Sequence, residues 1–191
     1  FVNAGEVSLR SGSWGQFRPT FDVQTVLDKE QAIGFRINGA FERADNYRVN
    51  VSKDRIYVNP SFAWKPNKKT SVTFEMDYMH DTRTPDRGTV NLAADSVNAL
   101  YKMPHNNFLG FETDRALTNN LTYALRFDRS LSDLFSVRVA YFGSTLDTDN
   151  TGASTSTLKN VSKTGLYNLR SRSLTRSTRA DNNSALQIDL I

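Results

Sequence analysis

The stretch from Arg55 to Asp81 constrains this chain more than any other. Its first arm places Ile56, Val58, Phe62 and Trp64 on one parity, and Arg55, Tyr57, Asn59 and Ser61 on the other. After Asn67-Lys68-Lys69, the residues Val72, Phe74, Met76 and Tyr78 again share a parity, opposite Thr73, Glu75 and Asp77. Alternate side chains of a strand point to opposite faces, so this spacing dictates a hairpin with one apolar and one polar surface. Each arm approaches the roughly 9–11 residues that a tilted strand needs to cross a bilayer.

The alternation recurs along the chain. Val7 and Leu9 oppose Glu6, Ser8 and Arg10; Phe17, Phe21 and Val23 oppose Arg18, Asp22 and Gln24; Ile33, Phe35, Ile37 and Phe41 oppose Arg36, Asn38 and Glu42. Later come Leu121, Tyr123, Leu125 and Phe127, then Phe135, Val137, Val139 and Tyr141, then Leu186, Ile188 and Leu190. The expectation is an all-β chain of about eight antiparallel up-and-down strands without a helix. Short turns at 28–31, 66–69 and 130–133 fall on one end of such a meander. Longer connections at 44–53, 82–117 and 144–183 fall on the other, together with the brief link at 11–15. Short turns on one side and long loops on the other describe an outer-membrane barrel.

A soluble β-sandwich has the same alternation, because it too buries one apolar face. Strand length, one-sided loops and the aromatic residues Trp64 and Tyr78 near strand ends favour the membrane wall. Pro60 cannot donate to a sheet ladder, and a local bulge is expected there. Eight strands either close into a small barrel or leave edges at Glu6–Arg10 and Leu186–Leu190 that need partner strands, since open edges do not persist in lipid.

Composition excludes some chemistry and permits the rest. The 191 residues contain no cysteine, which removes disulfides, thiolate metal sites and cysteine nucleophiles. A net charge of +4 comes from both signs spread through the sequence and does not identify a partner. No apolar run approaches the roughly 18 residues of a membrane helix. The mean hydropathy of -0.51 fits a soluble protein and also a barrel with a polar lumen and loops. Phe1 at the start and the unfinished strand at Ala185 to Ile191 read as cuts through a longer chain.

Candidate catalytic and metal sites are few. His80-Asp81 is the most suggestive pair, but adjacent strand residues face opposite sides and do not share one ion. No nucleophile elbow, zinc helix motif or phosphate loop is present, and the chain is read as a non-enzyme. The polar-parity charges Arg36, Glu42, Arg55, Glu75, Asp77, Arg126, Asp128, Arg138 and Asp189 either line a permeation path or form cross-strand ion pairs. Arg170, Arg172, Arg176 and Arg179 make a basic stretch that suits lipid phosphates or an anionic ligand, or simply a solvated loop. No aromatic-basic platform accompanies them, which argues against nucleic acid. Tyr101, Phe108 and Phe111 either stack on a ligand or pack the loop onto the wall.

One resemblance runs through most of the chain. Tyr47-Arg48, Arg55, Pro60-Ser61-Phe62-Ala63-Trp64-Lys65-Pro66, Lys69-Thr70 and Thr73-Phe74-Glu75 resemble the barrel part of TonB-dependent siderophore receptors. Thr84-Pro85-Asp86-Arg87-Gly88, Asn107-Phe108-Leu109-Gly110 and Gly12-Ser13-Trp14-Gly15 with Asp22 are similar to the same family. The resemblance implies a large barrel of which residues 1–191 are the early part, with a plug domain and the remaining strands elsewhere. It implies outer-membrane import of ferric siderophore in a Gram-negative cell, energised by TonB through the plug region. It also implies contact with outer-membrane lipid and lipopolysaccharide. The protein side chains hold no cofactor, and the ferric siderophore is cargo. The loop residues Arg83, Arg87, Tyr101 and Phe108 are the expected ligand contacts. A self-contained small outer-membrane barrel with an adhesive or structural role, and a soluble sandwich binding module, are the alternatives.

Overall fold

A computed structural model of the chain describes residues 2–88, 104–155 and 172–191. These form one antiparallel sheet in strict sequence order: β1 (Ala4–Ser11), β2 (Phe17–Val26), β3 (Ile33–Asp45), β4 (Ser52–Asn67), β5 (Thr70–Arg83), β6 (Arg115–Ser130), β7 (Ser136–Thr155) and β8 (Arg172–Leu190). Tyr101 and Arg170 lie outside the described residues.

The register puts the two parities on opposite faces of the whole sheet. Phe21, Gly39, Val58, Tyr78, Leu121 and Thr145 follow one another across six strands, and Asp22, Asn38, Asn59 and Asp77 occupy the adjoining inner row. No described residue covers the apolar face. Phe21, Ile56, Trp64, Leu125 and Tyr141 remain 38–46% exposed, and among the described residues the buried apolar ones are Ala44, Val51 and Ala153. A sandwich would lay a second sheet on this face about 10 Å away. Its exposure here is the signature of a wall whose solvent on that side is lipid.

Nor does the sheet close on itself. Every neighbouring pair from β1·β2 to β7·β8 is in contact, whereas β1 and β8 do not touch. Both outer strands therefore present unpaired backbone, a state that cannot persist inside a bilayer.

Local chemistry explains the short end. Asp28 caps its turn by accepting from the backbone amides of Ala32 at 3.0 Å and Ile33 at 2.7 Å. Gln31 takes a φ of 57° there. Ser132 does the same job in the β6–β7 turn, its hydroxyl accepting from the amides of Leu134 and Phe135 at 3.2 Å.

Two expectations change. The sheet runs through Pro60 without a register shift, and the irregularity lies between Trp64 and Asn67 instead. Pro60 stands across from Met76 in this register, and the Asn59 side-chain amide donates to the Met76 carbonyl at 3.0 Å. That donor replaces the N–H that proline lacks, so no bulge is needed. Residues 144–183, expected to be one long polar stretch, instead extend β7 to Thr155 and begin β8 at Arg172. At about 3.3 Å per residue the 20 residues of β7 reach about 65 Å, well beyond the bilayer. Above the membrane both faces are wet, so the apolar period disappears while the backbone ladder continues.

Candidate functional site

The strand ends opposite the short turns carry the irregular segments, and these are tied together by named contacts. The β1–β2 link turns through Trp14 and Gly15, both at positive φ, and the Trp14 carbonyl accepts from the Asp45 amide at 2.9 Å. Trp14 meets Tyr47 edge-on at 6.3 Å, and Tyr47 stacks on His105 at 6.4 Å. The Val49 amide donates to the Asn106 carbonyl at 3.1 Å. Beside this aromatic post, the Arg48 guanidinium donates to the Tyr47 hydroxyl at 3.0 Å and pairs with Asp86 at 3.2 Å. The link, the β3–β4 loop and the β5–β6 loop thus share one anchorage.

The two loop motifs noted in the sequence meet around a small cavity. It encloses about 70 Å³ and is lined by Pro85, Asp86, Arg87 and Gly88 from one motif and Phe108, Leu109 and Gly110 from the other, with Asp114 and Ala153 at its base. Asp86 accepts from the Gly88 amide at 2.9 Å, and Gly88 adopts a φ of 80°, a conformation open to glycine. Gly110 also has a steric reason: a Cβ there would collide with the Phe108 ring and the Asp114 carboxylate. Arg172, at the start of β8, donates to the carbonyls of Leu109 at 3.1 Å and Gly110 at 2.6 Å, and lies 4.6 Å over the Phe111 ring. Asp114 is buried. One carboxylate oxygen accepts from the Ala153 amide at 3.0 Å, and the other has no hydrogen-bond partner among the described residues.

Of the four predicted ligand contacts, Arg87 and Phe108 line this cavity together. Arg83 does not join them. It ends β5 on the inner face and donates to Asp81 at 2.7 and 2.8 Å, so it is a wall residue rather than a loop residue. Asp81 is 2% exposed and also accepts from Arg55 at 2.5 Å. His80 points the other way, toward Asn119 at 2.6 Å, which separates it from Asp81 as the strand geometry demands. No group of three or more metal-ligating side chains occurs among the described residues.

Most inner-face charges are paired across strands. Arg36 grips Asp22 through two nitrogens, Lys53 meets Glu42 at 2.6 Å, and Arg138 and Arg126 share Asp128 at 2.6 and 3.0 Å. Asp77 accepts from Tyr57, Asn59 and Thr122 instead of a cation. On the part of β7 and β8 beyond the membrane, Arg176 binds Asp149 through both nitrogens. The hydrogen bonds from Arg176 hold the Asp149 carboxyl below the usual carboxylate range, against the opposing effect of desolvation. Sequence alone did not single out Asp114 or the clamp made by Arg172, because a buried loop carboxylate has no periodic signature.

Comparison with known proteins shows what the wall is similar to. No family model matches the chain. The metal-pseudopaline receptor of Pseudomonas aeruginosa is 32% identical over 131 residues, 68% of this chain and 18% of that protein. The ferrichrome outer membrane transporter/phage receptor of Escherichia coli is 24% identical over 139 residues, 70% of this chain and 18% of that protein. The ferric-catecholate import receptor of E. coli K12 superposes with a TM-score of 0.79 at 22% identity, over 99% of this chain and 31% of that one. The pyoverdine receptor of P. aeruginosa gives 0.82 at 14% identity, over 98% of this chain and 27% of that one. This chain is similar to the barrel wall of outer-membrane siderophore receptors. It spans less than a fifth of the length of the curated relatives it matches. The wall therefore has its apolar face toward outer-membrane lipid and its polar face toward the lumen.

Proposed function

We propose that the chain forms part of an outer-membrane receptor that binds metal–siderophore complexes at its loop end and imports them. Residues 1–191 then supply adjoining strands of a larger barrel, whose other strands pair with the free edges of β1 and β8 and whose lumen holds a plug that engages TonB. The observation that carries this reading is the uncovered apolar face of a sheet that does not close on itself, superposing over nearly its full length on siderophore-receptor barrels. The anchored loops keep Arg87 and Phe108 at the mouth, where a chelate arrives from outside. The metal is cargo, held by its chelator rather than by protein side chains, and the wall performs no bond chemistry. Lipid and lipopolysaccharide contact the outward face and the wet strand extensions.

The test is uptake of radioactive iron by iron-starved cells supplied with their own ferric siderophore. Loss of uptake on deleting the receptor gene, and equally on abolishing TonB, supports the proposal. Undiminished uptake in both strains refutes it.

A further inference from the structure

On the outward face, an apolar row near the short turns runs through Trp64, Val72, Phe127, Val139 and Ile188 across β4 to β8. Two residues farther along β6, about 7 Å nearer the turns, the same parity brings Arg129, which stands across from Thr70 and Val137. Arg129 is exposed and, like Lys68 and Lys69 in the β4–β5 turn, makes no ion pair among the described residues. The three cations meet in an open recess of about 500 Å³ between the β4–β5 and β6–β7 turns, which Thr70, Ser130 and Leu131 also line. Asp128, beside Arg129 in sequence, has lumen parity and is taken by Arg126 and Arg138. Asp133, the carboxylate of these two turns, has no ion pair among the described residues. The surplus is local, since in the β2–β3 turn Lys29 lies between Asp28 and Glu30. β5 and β6 each have both neighbouring strands, so these cations do not lie at an open edge of the sheet.

An arginine on the lipid-facing parity costs least where hydrocarbon gives way to head groups, which sets the height of this recess in the membrane. Apolar neighbours place it at the same level. Leu131, Leu134 and Phe135 of the β6–β7 turn are 56%, 83% and 53% exposed, and Trp64 lies on the row above. Tryptophan favours that boundary, and long basic side chains cover apolar surface while their charged ends reach the phosphates. Short turns of an outer-membrane barrel face the periplasm, so the head groups at this end belong to the inner, phospholipid leaflet. We infer that the recess of Lys68, Lys69 and Arg129 seats the phosphate of an anionic phospholipid, one without a head-group ammonium. Three cations beside one carboxylate favour a net negative head group over a zwitterionic one. A guanidinium binds phosphate bidentately, and the two ammoniums add point charges. The inference rests on the wall reading and adds a lipid ligand at the end remote from the cargo.

The test uses the full-length receptor, purified in detergent and titrated with phosphatidylglycerol or phosphatidylethanolamine of the same acyl chains. Native mass spectrometry counts the lipids retained. The triple variant Lys68→Gln, Lys69→Gln and Arg129→Gln is compared with the native protein and with Lys29→Gln in the β2–β3 turn. Gel mobility before and after heating reports whether each variant folds. The native receptor should retain phosphatidylglycerol at lower lipid concentration than phosphatidylethanolamine. The triple variant should retain one phosphatidylglycerol fewer, with that site weakened about a hundredfold, the combined scale of three basic residues at an anionic surface. Lys29→Gln should leave retention unchanged. If the triple variant does not fold, Arg129→Gln alone decides, with a loss of about fivefold. Equal retention of the two lipids, or phosphatidylglycerol retention untouched by the substitutions, would overturn the inference and leave the wall reading standing. Displacement of the bound lipid by inorganic phosphate would also overturn it, assigning the cations to a soluble anion. A receptor that stays in solution without detergent would count against both the inference and the wall.

Discussion

Replacing Asp81 by alanine should destabilise the barrel wall severely for a single inner-face substitution. The carboxylate is 2% exposed and receives three charge-assisted hydrogen bonds, one from Arg55 at 2.5 Å and two from Arg83 at 2.7 and 2.8 Å. Breaking a buried ion pair by deleting one partner costs about 3–5 kcal/mol, because the remaining charge loses its compensation. Here the guanidiniums keep partial access to water, with side chains 37% and 51% exposed. Their solvation discounts the cost, and about 2–4 kcal/mol is expected. Asparagine keeps one acceptor and the shape, so Asp81→Asn should cost roughly half as much. The assay is urea unfolding of the purified full-length receptor in lipid bilayers, read as a lowered midpoint at unchanged slope. A loss below about 0.5 kcal/mol for Asp81→Ala, the range of ordinary surface substitutions, would refute the reasoning.

Three further outcomes follow from the same geometry. Phe74→Arg puts a cation on the lipid face and should cost about 2–4 kcal/mol, with reduced outer-membrane yield, while Thr73→Arg on the lumen face should be milder; equal yields would show the faces to be misassigned. Asn59→Ala leaves the Met76 carbonyl without the donor that Pro60 cannot supply and should cost about 1–3 kcal/mol; adding Pro60→Val should recover part of that loss in the same urea assay. Arg172→Ala removes the clamp on Leu109, Gly110 and Phe111, so limited proteolysis of intact cells should cut residues 104–114 faster, with little change in the unfolding midpoint.

How much of this was legible in the sequence follows from where apolar periodicity exists. Within the bilayer one face meets lipid and the other water, so Ile56 to Tyr78 displayed strand, turn and facing at once. The pairing of Phe62 with Phe74 and of Tyr57 with Met79 agrees with that reading. Above the bilayer the contrast between faces vanishes, and strand residues such as Asp147 to Asn150 and Arg176 to Arg179 look like loop. Backbone pairing holds them, with cross-strand contacts such as Arg176 to Asp149, and neither leaves an apolar period in the sequence. Pro60 misled for a related reason, since its missing donor is supplied by a neighbouring side chain whose direction only three dimensions reveal. At the mouth, Arg87 and Phe108, two of the loop candidates, line one cavity, a proximity that their separation in sequence does not reveal. Arg83 was misplaced because β5 extends to it, and Tyr101 falls outside the described residues.

The central claim is that this sheet belongs to the wall of a large outer-membrane receptor. Its most direct test is the apparent mass of the native protein in outer-membrane fractions, detected with an antibody raised against residues 104–114. The account predicts a band several times larger than the 21.5 kDa of these 191 residues. A membrane-bound band at 21.5 kDa itself would contradict it, since a complete eight-stranded protein would have to join β1 to β8, and in this structure those edges stand apart.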